Sequence, residues 1–387
     1  MRIEFNKNCT GCAACRQVCN NNCIQIISNE NGFNIPDIND SQCIDCGKCV
    51  KVCHILNFNN SKQINLIEKA FYGKSTCQSV MRNSSSGGLM TLLAHNILSK
   101  QGVVYGAVFE RESKRIIMAS TKDYPLKALQ KSKYAEAVVG NTFSEVKTHL
   151  DNGIHVMYVG TPCQIAGLSC FLSKEYDNLL KVDFVCHGVP SGKLFSMNLD
   201  HIEKIYNKKI FNIDFRPKEY GWSASGTKYY FEDGSSKYLS ARINPYLKAF
   251  NSYISLRESC MNCKYVNKRY SDITLGDFWG IHKYAPKLND NKGMSLVIPV
   301  TQKGRNTIAS LDKNLVSLME IDKEVFMYIF KEKKFDKNLS TAFFKSLADC
   351  GYKSTMNRYF TVNKKDKIIN FLVNMKRIRF YKVEGKL

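Results

Sequence analysis

Between residues 89 and 98 the apolar positions Leu89, Leu92, Leu93, Ile97 and Leu98 fall on one side of a 3.6-residue period, which predicts a helix. Ser84, Ser85 and Ser86 stand ahead of it as candidate N-caps, and Gly102 follows as its stop. The next seven residues, Val103 to Phe109, form an unbroken apolar run, the pattern of a buried strand. The same alternation returns downstream. His155 to Val159 predicts a strand that runs through Gly160-Thr161-Pro162 into a helix from Cys163, and Val182 to Val185 predicts another that ends at Cys186. Tyr229 to Gly234 opens a hairpin on an Asp-Gly turn, residues 243–257 predict a helix, and Ile273-Thr274-Leu275 returns as a strand. Strands alternating with helices predict an α/β main body built on a mixed sheet.

The first 58 residues follow no such alternation and are ordered by cysteine instead. Cys9-x2-Cys12-x2-Cys15-x3-Cys19 is repeated as Cys43-x2-Cys46-x2-Cys49-x3-Cys53. This doubled spacing is the ligand pattern of a bacterial ferredoxin with two 4Fe–4S clusters, in which the fourth cysteine of each run serves the other cluster. It predicts an α+β two-cluster ferredoxin-like domain over residues 1–58. One cluster takes Cys9, Cys12, Cys15 and Cys53, and the other takes Cys43, Cys46, Cys49 and Cys19. Gly11 and Gly47 relieve crowding where the backbone bends. Asn20 and His54 stand where proline is usual after the fourth cysteine; proline supplies no ligand, so binding is unaffected. Zinc sites use paired C-x2-C units rather than this spacing. A disulfide framework does not suit a long chain whose start, Met1 to Asn6, lacks an apolar signal region.

With 387 residues the chain is long enough for two or three domains. We expect a polar linker at Asn57 to Lys62, the N-terminal part of the main domain over 65–150, its C-terminal part with a candidate third metal site over 151–310, and a basic extension over 311–387. The formal net charge of +22 favours acidic partners such as nucleotide phosphates, an acidic electron donor or anionic lipid. Each oxidised 4Fe–4S unit with four thiolates offsets it by about 2 charges. No recognition motif accompanies the charge, so no nucleic-acid role is expected. Sixteen cysteines without an export signal point to a reducing cytoplasm.

Asn83 to Gly88 and Gly160-Thr161-Pro162 are two turns of small residues able to seat a phosphate at a helix start, and Lys131 to Tyr134 adds cations and an aromatic ring. The serine-rich turn is equally consistent with a plain helix cap. Cys163, Cys186, Cys260 and Cys263 fall at predicted strand ends or just beyond and are candidates for a third metal site; the alternative is a set of unlinked buried thiols. Cys23, Cys77, Cys170 and Cys350 have no such setting and are read as structural.

Six segments taken together resemble the beta subunit family of coenzyme F-420 hydrogenase and dehydrogenase. They are Ser85 to Gly88, Ser132 to Tyr134, Gly160 to Gln164, Cys186 to Ser191, Cys260 to Cys263 and Asp272 to Asp277, and they span residues 70–300 in the family's order. The resemblance implies FAD, with Ser85, Ser86, Gly87, Gly88, Lys133, Tyr134, Gly160, Thr161 and Asp277 as cofactor-binding candidates. It also implies a third 4Fe–4S cluster on the four later cysteines. The His187 to Ser191 wording and the Arg216…Gly221-Trp222 segment look closer to a bacterial, polysaccharide-locus-like branch.

The resulting expectation is a cytoplasmic iron–sulfur flavoprotein that takes electrons from a redox partner such as ferredoxin and reduces an organic substrate, with His187 as a candidate proton donor. The rivals are an electron-transfer subunit with no substrate of its own and a redox sensor. Ile368 to Val373, set among Lys364, Lys365, Lys367, Lys376, Arg377, Arg379 and Lys382, reads as a terminal helix with a solvated basic face, or as a peripheral contact with the inner membrane face.

Overall fold

The computed structural model describes residues 7–57, 62–63, 67–330 and 335–375. Residues 58–61 of the expected linker, and Lys376, Arg377, Arg379 and Lys382, lie outside them. In the N-terminal part the two cysteine loops each run into a one-turn helix, α1 (Ala14–Gln17) and α2 (Lys48–Lys51). An antiparallel ribbon of β1 (Ile24–Ser28) and β2 (Asn34–Ile38) separates them. Both helices start from a left-handed residue, Ala13 at φ 58° and Gly47 at φ 73°. Glycine meets that requirement at no steric cost, whereas alanine does so under strain.

The body is one nine-stranded sheet. Its strands in chain order are β3 (Lys69–Ser75), β4 (Val103–Glu110), β5 (Arg115–Ser120), β6 (Ala137–Val138), β7 (Val156–Val159), β8 (Leu179–Phe184), β12 (Ile273–Asp277), β13 (Ser295–Pro299) and β14 (Val316–Asp322). The intervening β9 (Ile210–Asp214), β10 (Gly226–Phe231) and β11 (Ser236–Ser240) form a separate antiparallel sheet. The spatial order is β14-β3-β13-β12-β8-β7-β4-β5-β6. The four central strands β12, β8, β7 and β4 are mutually parallel, and antiparallel pairings flank them. The sheet is therefore mixed, as the alternation predicts.

Helices α3 (Leu89–Leu98), α4 (Thr142–Asp151) and α5 (Pro162–Leu172) cover the parallel strands. Leu89, Leu92, Leu93 and Ile97 of α3 pack with Val104, Met157 and Val182 of the strands, while Val146, Ile165 and Leu168 pack with Tyr105 and Tyr158 on the other face. Burying such side chains on both faces stabilises by about 1.5–3 kcal/mol each relative to exposure, which is why the central strands read as continuous apolar runs. Further helices include α6 (Gly192–Tyr206), α7 (Lys337–Tyr359), which kinks at Gly351, and α8 (Lys364–Asn374).

Two expectations are corrected. The serines do not cap α3. Its N-cap is Gly88 at φ 89°, while Ser84 Oγ turns back to the Val80 carbonyl at 2.7 Å. The helix expected over 243–257 spans only Pro245–Asn251, starting from the Asn244 cap and stopping before Tyr253, whose φ is 64°. Hydrophobic periodicity continues past that point, but a left-handed residue ends the ladder.

Candidate functional site

The doubled cysteine runs close around two hollows. The inner one, of about 40 Å³, is lined by Cys9, Cys12, Cys15 and Cys53. The outer one, of about 100 Å³, is lined by Cys19, Cys43, Cys46 and Cys49, with Cys23 as a fifth thiol. This is the crossed partition expected from the spacing. Burial pushes the Cys15 thiol up to about 12 and the Cys12 thiol well above its ordinary value, with the neighbouring thiols adding to it. Thiols as reluctant to ionise as Cys12 and Cys15 become thiolates only against a cation, which is what an iron cluster supplies. Among the described residues, no group of three or more His, Cys, Asp or Glu is arranged to hold a single metal ion.

The inner hollow faces the body. Gly167 of α5 packs against Cys12, where an added Cβ would lie 2.9 Å from both its Cβ and Sγ. Gln17 Oε1 accepts the amides of Phe143 and Ser144 at 3.0 Å each, satisfying the start of α4. Arg257 is the deeper tie. Its Nη1 donates to the Cys9 carbonyl at 3.2 Å, and its Nη2 donates to the Asn34 carbonyl at 3.0 Å and to the Glu136 carboxylate. Glu136 in turn accepts the Asn34 amide. Burial pushes the Glu136 carboxyl up, and Arg257 pulls it back. His54, in the position usually held by proline, is buried between Thr10 Oγ1 at 2.9 Å and the Tyr265 hydroxyl.

Thr10 and Gly11 also border a second space. A cavity of about 520 Å³ opens at the carboxyl ends of β7, β8 and β12, where a parallel sheet places its ligands. Its wall carries Ser85, Ser86, Gly88, Lys133, Tyr134, Gly160, Thr161 and Asp277 of the cofactor-binding candidates, together with Cys163, Cys186 and His187. Gly87 lies behind the wall, and a Cβ there would run into the Gly73 carbonyl, so its smallness serves the sheet contact. Ser85 Oγ accepts the Ser132 amide at 2.8 Å, joining two of the sequence segments. Thr161 and Gln164 form a reciprocal capping box at the start of α5. Lys133 Nζ is turned onto the carbonyls of Ala128 and Gln130, at 2.7 and 2.5 Å. Its enclosure lowers it to about 7.

At the far end Asp277 accepts from Arg216 Nη1 at 2.9 Å and from Trp222 Nε1 at 3.0 Å. Trp222 stacks on Trp279 with ring centres 4.4 Å apart. His187 Nε2 lies 3.1 Å from the Phe250 carbonyl, and an amide carbonyl can only accept, so Nε2 carries the proton. Its ring stacks on Tyr253 at 4.4 Å.

The four later cysteines converge beside this cavity. Cys163 is the second residue of α5, Cys186 follows β8, and Cys260 and Cys263 bracket the end of a short helix, Glu258–Met261. Burial pushes Cys163 up to about 11 and Cys260 higher, and Cys186, Cys163 and Cys263 are all near enough to raise Cys260 further.

Arg257, Glu136, Thr10, Asp183 and Lys218 carry no sequence motif, and sequence reasoning missed them. Asp183 lies on the cavity floor, accepting from Thr274 Oγ1 at 2.5 Å with Arg269 Nε at 3.2 Å. Lys218 Nζ donates to the carbonyls of Met81, at 2.9 Å, and Ser86, and so holds the serine turn. A carboxylate two residues after Lys181 inside a strand that is apolar elsewhere was the available signal for Asp183.

Residues 154–332 match the family model that describes the C terminus of the coenzyme F420 hydrogenase/dehydrogenase beta subunit. Residues 8–55 match a 4Fe-4S dicluster domain. No curated protein matches the sequence. Among solved structures, a chain of the xenon-derivatised F420-reducing NiFe hydrogenase complex of Methanosarcina barkeri is 15% identical, with a TM-score of 0.46, covering 70% of this chain and 88% of that one. No helix among the described residues is long and apolar enough to cross a membrane. Over residues 154–332 the chain is thus similar to the C terminus of the coenzyme F420 hydrogenase/dehydrogenase beta subunit, and it is an iron–sulfur electron-transfer protein with a 4Fe-4S dicluster domain ahead of that unit.

Proposed function

We propose that this protein is a flavin-dependent iron–sulfur oxidoreductase that takes electrons from a redox partner and delivers them to an organic substrate in the cavity. Cys9, Cys12, Cys15 and Cys53 hold the inner cluster, and Cys43, Cys46, Cys49 and Cys19 the outer one. Cys163, Cys186, Cys260 and Cys263 hold a third. The observation that carries the reading is the shared wall, since Thr10 and Gly11 separate the inner hollow from the cavity, and Cys163 stands on the same cavity surface. Exposure supports the direction: Cys46 of the outer set is exposed and Ile44 beside it is 68% exposed, whereas Cys9, Cys12, Cys15 and Cys53 of the inner set are half-buried or buried. A partner therefore meets the outer cluster first.

FAD bound in the cavity would join one-electron clusters to two-electron chemistry. Ser85, Ser86 and Gly88 at the start of α3 would face its phosphates, while Gly160 and Thr161, whose amides are held by the Val182 carbonyl and by Gln164, shape the wall beside them. Tyr134 offers a ring face, and Asp277, fixed by Arg216 and Trp222, offers carboxylate oxygens to hydroxyl groups. Lys133 holds the 128–134 segment in place. His187, with its proton on Nε2 and its ring clamped by Tyr253, orients the cavity wall and is the nearest sequence-derived candidate for proton transfer.

Anaerobic purification with iron, sulfide and flavin assays tests the reading. About twelve irons and one FAD per chain are expected for three clusters, and eight irons without flavin would overturn it. Steady turnover of a substrate by the isolated chain separates this enzyme from a relay that only feeds a partner. We also propose that α8 makes the peripheral contact with anionic lipid. It presents Ile368, Phe371 and Met375, all exposed, beside exposed Lys364, Lys365 and Lys367, while Asn370 and Val373 face β11.

A further inference from the structure

The outer hollow is lined by five thiols, one more than a four-iron cluster uses. Cys19 is the ligand that the repeated spacing assigns. Cys23 follows it by four residues and carries no motif. The chain between them turns tightly: the Asn22 amide donates to the Cys19 carbonyl at 3.2 Å, and Asn22 sits in the left-handed region at φ 51°. This turn folds Cys23 back so that its Sγ lies 3.3 Å from that of Cys19. Cys23 is 4% exposed, and its carbonyl accepts the Asn39 amide at 2.8 Å, which fixes the residue where the β1–β2 ribbon begins. The two sulfurs lie side by side at one end of the hollow, with the Cys43 thiol of the opposite loop also beside Cys23, while Cys46 and Cys49 line the rest.

We infer that Cys23 is an interchangeable ligand of the outer cluster, able to take the iron corner held by Cys19. The inference rests on the assignment of Cys19, Cys43, Cys46 and Cys49 to that cluster. In the exchange the iron–sulfur bond to Cys19 breaks and one to Cys23 forms. The proton lost by the Cys23 thiol ends on Cys19, and no electron is transferred. A separation of 3.3 Å lets the corner change hands through side-chain rotation, with the ribbon and the facing loop left in place. Packing alone does not explain the arrangement. A buried cysteine acting as a small hydrophobe has no need to line the hollow or to touch a ligand sulfur.

The test uses the full chain, purified anaerobically, as wild type, Cys19→Ala, Cys23→Ala, the double Ala variant and Cys46→Ala. Iron and sulfide per chain are measured, together with the electron paramagnetic resonance spectrum of the reduced protein. Far-UV circular dichroism and the inner-cluster signal report folding. Each single variant at Cys19 or Cys23 is expected to keep the wild-type iron content and both N-terminal signals. The double variant is expected to lose the outer four-iron signal, and Cys46→Ala to lose it alone. If Cys19→Ala loses the outer cluster as completely as the double variant while the inner signal persists, Cys23 is no ligand and the inference fails. It fails equally if the double variant retains the cluster. Fewer than about eight irons in the wild type would instead overturn the underlying two-cluster assignment.

Discussion

Replacing Arg257 with Met should loosen the ferredoxin module from the body. The guanidinium and Glu136 are both buried, at 4% and 7% exposure, and the same cation donates to the carbonyls of Cys9 and Asn34. Removing one partner of a buried pair costs about 3–5 kcal/mol, because the other charge is left without compensation. Glu136 keeps the Asn34 amide, which places the expected loss toward the lower end of that range. Against a typical total of about 5–15 kcal/mol for a domain, the loss is a large fraction. The assay is anaerobic denaturant unfolding of the cluster-loaded protein, read by cluster absorbance and circular dichroism. Arg257→Met, Glu136→Leu and the double variant form a cycle, and the double variant should be less destabilised than the two single changes summed. A loss under about 1 kcal/mol for Arg257→Met, or simple additivity in the cycle, would refute the claim that this pair fastens the two parts.

Cys163→Ser or Cys263→Ser should lower iron by about four per chain and spare both N-terminal signals; an unchanged iron content would remove the third cluster. Gly88→Ala should cost about 1–3 kcal/mol in thermal or denaturant unfolding, because φ is 89° and the new Cβ would lie 2.8 Å from Val80 Cγ1. Lys133 is lowered to about 7 by burial. Its stabilising share is therefore complete above its unfolded value near 10.5 and is lost as pH falls through 7. Stability measured from about pH 10 to 7 should decline, and less steeply in Lys133→Met; equal slopes would contradict the placement of Nζ. For α8, Ile368→Ser with Phe371→Ser should reduce cosedimentation with anionic vesicles, and unchanged binding would end the lipid proposal. Truncation from residue 355 is a poorer probe, since Thr355 and Met356 are buried in the core.

Much of the candidate site was legible because its residues announce themselves by spacing. Four cysteines at 2-2-3 intervals predict a loop around a cluster whatever surrounds them, and the placement of Cys53 in the inner hollow and Cys19 in the outer one is the crossing that the same repeat predicts. The strand–turn–helix at Val159, Thr161 and Gln164 was legible for a similar reason: apolar run, turn and capping box are all local. Arg257 was not, since its role depends on Cys9, Asn34 and Glu136, which lie as many as 248 residues away in sequence. Gly88 and Tyr253 show the complementary failure. Periodicity says where a helix could run, and a single backbone torsion decides where it begins or stops.

Gly167 has a consequence for conduction. Electron tunnelling weakens steeply with the thickness of material between carriers, and on the side of Cys12 that faces α5 the helix contributes a single hydrogen atom where any other residue would add at least a methyl group. The smallest side chain thus sets the spacing between the inner cysteine loop and the helix that backs it. Widening it by one carbon would press on Cys12 itself, because the added Cβ would lie 2.9 Å from its Cβ and Sγ, so spacing and ligand placement change together.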